Sequence, residues 1–273
     1  SRPPLAHFLY GISWPAVFYG CAIIVSLNFL MLFTYKEVES GDDKKGSPLK
    51  VLMITLRELM NFRLAVFIVI MAGFWLMFMQ LFDMLPNFIV DWVDSSKMVR
   101  DLGLPEWMLQ YNSDRGPQVS QEWLINANPG LIVLAVVFIS HLVSRMRRVH
   151  SITLGITIAS VGLLLAGFTT SGYLCLMGIL VFSVGEMMSS PKMNDYLGVI
   201  APPGKKGLYM GYANIPQGIG WGVGSLFAGH VYDRMGDKAN LAIDYLSRMH
   251  NITDVTRPQA MLKLQEVTGM GAE

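Results

Sequence analysis

Two carboxylates stand inside apolar runs of this chain. Glu186 follows Leu180-Val181-Phe182-Ser183-Val184-Gly185, and Asp83 follows Phe78-Met79-Gln80-Leu81-Phe82. An ionisable side chain at mid-bilayer costs about 2.5–3.5 kcal/mol on insertion scales, so it has a partner or marks a pathway. A carboxyl whose proton affinity responds to apolar surroundings and to an incoming cation can couple proton movement to solute binding. Ser183, Glu186, Ser189 and Ser190 fall on one helix face, and Pro191 then breaks or kinks the helix. The alternative for Glu186 is a helix-end carboxylate paired with Lys192. Gln80, Asp83 and Asn87 fall at i, i+3 and i+7, one polar stripe on an apolar helix. That stripe either lines a water-filled cavity, or Asp83 lies near the outer end and reaches water directly. Asn214, Gln217, Trp221 and Ser225 make a third stripe, beside Pro216 and Gly218, Gly220, Gly222 and Gly224. It reads as a cavity-lining face on a helix that can bend, or as a close packing surface. His141 and Ser144 fit a membrane interface better than a proton relay. His7, His150 and His250 stand alone, and Cys21 and Cys175 have no metal-ligand spacing, so no metal site is expected. Phosphate loops, His-Glu-x-x-His and Gly-x-Ser-x-Gly are missing, which argues against an enzyme.

The elements that hold these residues are transmembrane helices. The chain has 273 residues, 52% of them apolar or aromatic and 15% charged, with a mean hydropathy of +0.42. Soluble domains carry about 25% charge, so lipid is the expected solvent; disorder, collagen and disulfide scaffolds are excluded. A net charge of +1 gives no reason to expect a nucleic-acid partner. Runs of about 20 apolar residues predict six spans: Trp14 to Thr34, Phe62 to Asn87, Pro129 to Ser144, Ile152 to Phe168, Tyr173 to Ser190 and Leu208 to His230. The runs do not alternate, so helices rather than barrel strands satisfy the backbone. The first and fourth spans lack ionisable residues and are expected to face lipid, while the other four surround something wet.

Loop charge sets the orientation. Lys36, Lys44, Lys45, Lys50, Arg57 and Arg63 follow the first span, Arg145, Arg147 and Arg148 the third, and Lys192, Lys205 and Lys206 the fifth. These loops are read as cytoplasmic, which places both chain ends outside a plasma (inner) membrane. The organisation expected is a first span with an outer leader over 1–35, a cytoplasmic loop over 36–61, a helical bundle over 62–232 and a polar outer segment over 233–273. Within the cytoplasmic loop, Leu49, Leu52, Leu56 and Leu59 predict an amphipathic helix from Ser47 to Asn61. The outer loop, about 91–122, and its exit carry Trp92, Trp107 and Trp123, which suit a membrane interface. The tail shows two short helical patterns split around Asn251 to Pro258.

The run Gly185-Glu186-Met187-Met188-Ser189-Ser190-Pro191, then Ala201-Pro202-Pro203 and Lys206-Gly207-Leu208-Tyr209-Met210-Gly211, resembles the tenth helix and following loop of the proton-dependent oligopeptide transporter family, within the major facilitator superfamily. Asn128-Pro129 looks like that family's opening of helix eight, and Phe74-Trp75 with Gln80 like its helix seven. The resemblance implies an all-α integral membrane fold, a partial chain holding helices six to eleven, and a missing N-terminal half as partner. It also implies alternating-access symport of a small peptide-like polar solute, with the proton as coupling ion and no other cofactor. Glu186 would then contact the substrate amino group or the proton. The sequence departs from the family at Met79, where an acidic residue is common, and at Phe82-Asp83, where small residues are usual; Asp83 would act one turn away. Rival readings are a carrier of drugs, sugars or organic anions, and a non-transporting membrane scaffold.

Overall fold

The computed structural model describes residues 14–31, 33–34, 53, 55, 57–112 and 115–269. It is a helical bundle. The long helices are α1 (Trp14–Met31), α2 (Phe62–Asp83), α5 (Gln121–Val143), α6 (Arg148–Gly167), α7 (Gly172–Ile200) and α9 (Asn214–Met235). Shorter helices are α3 (Leu85–Trp92), α4 (Ser96–Leu102), α8 (Lys206–Gly211), α10 (Lys238–His250) and α11 (Arg257–Thr268). Four helical stretches, Phe62–Trp92, Gln121–Val143, Arg148–Gly167 and Gly172–Ile200, are long and apolar enough to cross a membrane. The two other expected spans fall short on composition or length. The apolar part of α1 is Phe18–Leu30, and α9 carries five glycines with Asn214 and Gln217, which dilute its hydropathy.

Prolines move several expected boundaries. Pro86 lies in the first turn of α3, where a missing N–H costs nothing, so the second span becomes two helices joined at Met84. Asn128-Pro129 does not open the third span: α5 starts at Gln121, and Pro129 lies inside it. Pro191 likewise does not end the fifth span, since α7 continues to Ile200. In α7 the ring removes the N–H that would reach the Met187 carbonyl, and hydroxyls serve the neighbouring carbonyls instead. Ser189 Oγ donates to the Gly185 carbonyl at 2.9 Å, and Ser151 Oγ of α6 donates to the Met188 carbonyl at 2.8 Å. The sixth span is divided: α8 precedes a turn at Tyr212 and Ala213, and α9 runs beyond His230 to Met235. Of the expected amphipathic helix, residues 57–59 are helical and Leu59 packs on the core; Leu49, Leu52 and Leu56 lie outside the described residues, as do His7, Lys36, Lys44, Lys45 and Lys50.

Small residues bring the helices together. Gly155, Ala159, Gly162 and Ala166 of α6 face Gly178 and Gly185 of α7, and a Cβ built on Gly162 would lie 2.3 Å from the Phe182 nitrogen. Without a hydrophobic drive in lipid, this close backbone approach is what dispersion requires. α2 and α9 form a second tight pair, in which a Cβ on Gly220 would lie 2.7 Å from the Ala72 carbonyl oxygen. α5 packs on α7. α1 makes no substantial interface with the other described elements, and Ile23, Ile24, Val25, Leu27, Phe29 and Leu30 are all more than half exposed.

The segment between α3 and α5 is folded rather than extended. It holds α4 and a hairpin of β1 (Leu109–Asn112) and β2 (Gly116–Val119), with Leu109 opposite Val119. Asp94 pairs its backbone with Thr170 and Gly172 at the start of α7. Arg115 donates to the carbonyls of Val90, Asp91 and Val93 at 2.7, 3.0 and 2.9 Å, capping α3. Charge-assisted bonds of this kind are worth about 1.5–3 kcal/mol where water is scarce. Arg115→Ala is therefore expected to leave the bundle folded while residues 93–120 become a cleavage site in limited proteolysis of the membrane-embedded protein. Unchanged resistance would show that the hairpin holds itself.

Candidate functional site

α5 and α7 meet at a polar cluster. Asn128 and Ser183 are both buried, and Glu186 is partly buried beside them. Ser183 Oγ donates to the Ile179 carbonyl at 2.7 Å, so its oxygen is left as an acceptor. The Asn128 amide must then point its Nδ2 at it, 3.0 Å away. The second N–H of that Nδ2 goes to Glu186 Oε2 at 2.8 Å. One carboxylate oxygen is thus held by a neighbouring helix while Oε1 has no partner of this kind. Among the described residues no ion pair involves Glu186, and Lys192 lies 4.0 Å from Asp195 instead. The sequence marked Asn128 as a motif residue; that it holds Glu186 became visible only once α5 and α7 were packed.

The second cluster joins α2 to α9. Gln80 Nε2 donates to the Leu76 carbonyl at 2.9 Å and the Gly224 carbonyl at 3.3 Å, while its buried Oε1 has no partner. Asp83 Oδ2 accepts from Ser225 Oγ at 2.7 Å. Asn87 is exposed and bonds the Asp83 carbonyl at 3.4 Å, across the α2–α3 break. Gln80 and Asp83 therefore face α9 while Asn87 does not, and Gly224 is small enough to let Gln80 reach its backbone.

Two cavities lie beside the α2–α9 pair. One, of about 610 Å³, is lined by Gln80, Phe88, Trp92, Ser160, Tyr232 and Met235 among mostly apolar neighbours. The other, of about 380 Å³, lies at the opposite end of the helix pair and is more polar, with Trp75, Ser190, Asn194, Asn214, Pro216 and Gln217 in its wall. Neither is lined by Glu186 or Asp83. Trp221 is 44% exposed and lines neither. Pro191 is exposed at the surface of α7, one residue beyond Ser190.

A charged contact that the loop charges alone did not mark ties the start of α2 to α8, whose Met210 is in the wall of the polar cavity. Glu58, just before α2, accepts from Lys205 Nζ and, at 3.0 Å, from Tyr209 Oη. The Lys205 and Tyr209 bonds hold its carboxyl below the ordinary value of 4.5. Lys205 drew notice from the sequence only as part of the loop charge.

The comparisons with known proteins agree with this architecture at the level of the superfamily. The family model described as Major Facilitator Superfamily matches residues 2–225, which is most of the chain. No curated protein matches the sequence. With apolar helices of spanning length and a family match of this extent, the chain belongs to the major facilitator superfamily and is an integral membrane protein of the transporter type.

Proposed function

We propose that the chain is the C-terminal half, helices six to eleven, of a proton-coupled symporter resembling the proton-dependent oligopeptide transporters, which moves a small peptide or peptide-like polar solute by alternating access. The observation that carries this reading is the Glu186 carboxylate, fixed through Oε2 by Asn128 of a neighbouring helix and free of any basic partner among the described residues. A carboxylate held in that way keeps its second oxygen available to a proton or to a solute ammonium. Binding belongs near mid-membrane, between this half and an N-terminal half that contributes the other wall. α1, with its apolar side chains uncovered, is the helix placed to meet lipid or that half. The loops carrying Arg145, Arg147, Arg148, Lys205 and Lys206 are assigned to the cytoplasm of a plasma or inner membrane, with both chain ends outside. No cofactor beyond the proton enters the scheme.

A second reading, a carrier of another solute class, is favoured by Met79 and Phe82-Asp83, which depart from the oligopeptide-transporter pattern. Proteoliposomes of the full-length protein separate the two. Symport requires dipeptide accumulation above the external level when the outside is acid, with matching acidification of the lumen. Equal uptake with and without the gradient would leave a facilitator, and gradient-driven uptake restricted to sugars or organic anions would replace the peptide assignment.

A further inference from the structure

Helix α8 is bounded by two breaks and fastened at one side. Before it, Gly204 adopts a left-handed φ of 77°, with open space where a Cβ would stand. After it, Tyr212 closes the helix with its N–H shared among the Leu208, Tyr209 and Met210 carbonyls, and α9 begins again at Asn214. At Gly198 the contact of α8 with α7 is soft, although Tyr209 of α8 is buried in the core. A Cβ on Gly198 would meet the ends of two flexible side chains, Lys206 Cε at 3.5 Å and Met210 Sδ at 3.6 Å, whereas α6 and α7 touch backbone to backbone. Beneath this contact lie Met193 and Leu197, 6% and 2% exposed, in the wall of the 380 Å³ cavity that Met210 and Ala213 help to close. The closed position has a built-in cost: Tyr212 Oη is buried with no hydrogen-bond partner, and water would restore one. Against that cost, one carboxylate, Glu58, binds both Lys205 at the first residue before α8 and Tyr209 within it.

We propose that α8 is a hinged flap over the cytoplasmic end of the polar cavity, and that Glu58 is the bolt that holds it shut through Lys205 and Tyr209. Assigning that side to the cytoplasm, and the flap to a transport cycle, rests on the carrier reading; the hinge and bolt do not. Opening swings α8 about Gly204 and Tyr212, uncovers Leu197 and admits water to the cavity from the end opposite the folded hairpin.

The test needs no substrate. In full-length protein carrying Cys21→Ser, with Cys175 buried and unreactive, Leu197→Cys reports the flap through modification by a membrane-impermeant cationic methanethiosulfonate. The reagent is applied to inside-out and right-side-out vesicles, and the readout is the peptide carrying position 197. Glu58→Gln and Lys205→Gln are each expected to raise the modification rate from the inner face by at least about fivefold, the ratio that loss of one net hydrogen-bonded contact gives. Tyr209→Phe should raise it less, and modification from the outer face should stay slow. Equal rates in the parent and in both variants overturn the proposal. Should Glu58→Gln fail to express, Lys205→Gln and Tyr209→Phe carry the test: a rise from the inner face in Lys205→Gln supports the flap, and rates equal to the parent in both overturn it. Failure of proton-driven uptake would sink the symport reading and leave these rates untouched.

Discussion

Replacing Gly162 with valine should cost the bundle more stability than any other single change in α6. A Cβ at Gly162 would meet the Phe182 nitrogen at 2.3 Å and the Gly178 oxygen and Phe182 Cα at 2.7 Å each. All three atoms are backbone, so no side chain can turn aside. Ordinary carbon contacts begin near 3.5 Å, so α6 and α7 must separate by roughly 1 Å along their shared face. Overpacking typically costs about 1–3 kcal/mol; here Ala159 and Ala166 would lose their contacts on either side, which argues for the upper end or beyond. Separation would also break the bond from Ser151 Oγ to the Met188 carbonyl. Gly185 should behave alike, since a Cβ there lies 2.3 Å from the Ala159 nitrogen and 2.4 Å from the Gly155 oxygen. Alanine at Gly130 or Gly167, where a Cβ meets nothing within 4 Å, serves as the control and should be neutral or mildly stabilising. Thermal melts of the detergent-solubilised, full-length protein followed by size-exclusion chromatography read the difference. A Gly162→Val protein that melts with the parent would show that α6 and α7 do not rely on this contact.

What the sequence could show follows from the same physics. Apolar length identifies α2, α5, α6 and α7, because hydropathy over about 20 residues is a bulk property that needs no partner. It misplaces their ends, because Pro129 and Pro191 read as punctuation in a sequence, while a long helix in a packed bundle accommodates both. The stripes on α2 and α9 were legible as faces. That they meet only where Ser225 bonds Asp83 and Gly224 lies under Gln80 depends on packing that no spacing encodes. Glycines 220 and 224 carried a signal for that packing, and the alternative of close helix approach holds there, where a Cβ on Gly220 would strike Trp75 and Ala72. The folded hairpin after α3 was hidden, because Arg115 and Gln118 are polar residues in a polar loop until Arg115 meets the α3 carbonyls and Gln118 Oε1 accepts from Ser95 N and Oγ at 2.6 and 3.1 Å. Glu58 was missed for a related reason: its partners are about 150 residues away in sequence.

Uptake itself should depend on the α5–α7 cluster in a fixed order. Glu186→Gln keeps the shape of the side chain, and its carbonyl can still accept from Asn128, so the fold should survive. Exchangeable protons and negative charge are lost together. Proton-driven uptake should fall by at least about 100-fold, equivalent to the roughly 3 kcal/mol of a strong charged hydrogen bond. Counterflow of unlabelled against labelled solute, which moves no net proton, should persist if Glu186 serves the proton and vanish if it holds the solute ammonium. Asn128→Leu removes the donor and leaves Glu186 Oε2 without the bond that holds it, so uptake should fall by about 10- to 100-fold, with a lower melting temperature as well. Ser183→Ala takes away an acceptor of Asn128 but leaves the bond to Glu186, so its effect should stay within about threefold. Position in the cluster, rather than burial, produces this order, since Ser183 is the most deeply buried of the three and has the smallest expected effect. Normal proton-driven uptake in a well-expressed Glu186→Gln protein would remove the carboxylate from coupling, and a large Ser183→Ala defect beside a mild Asn128→Leu defect would reduce the cluster to packing.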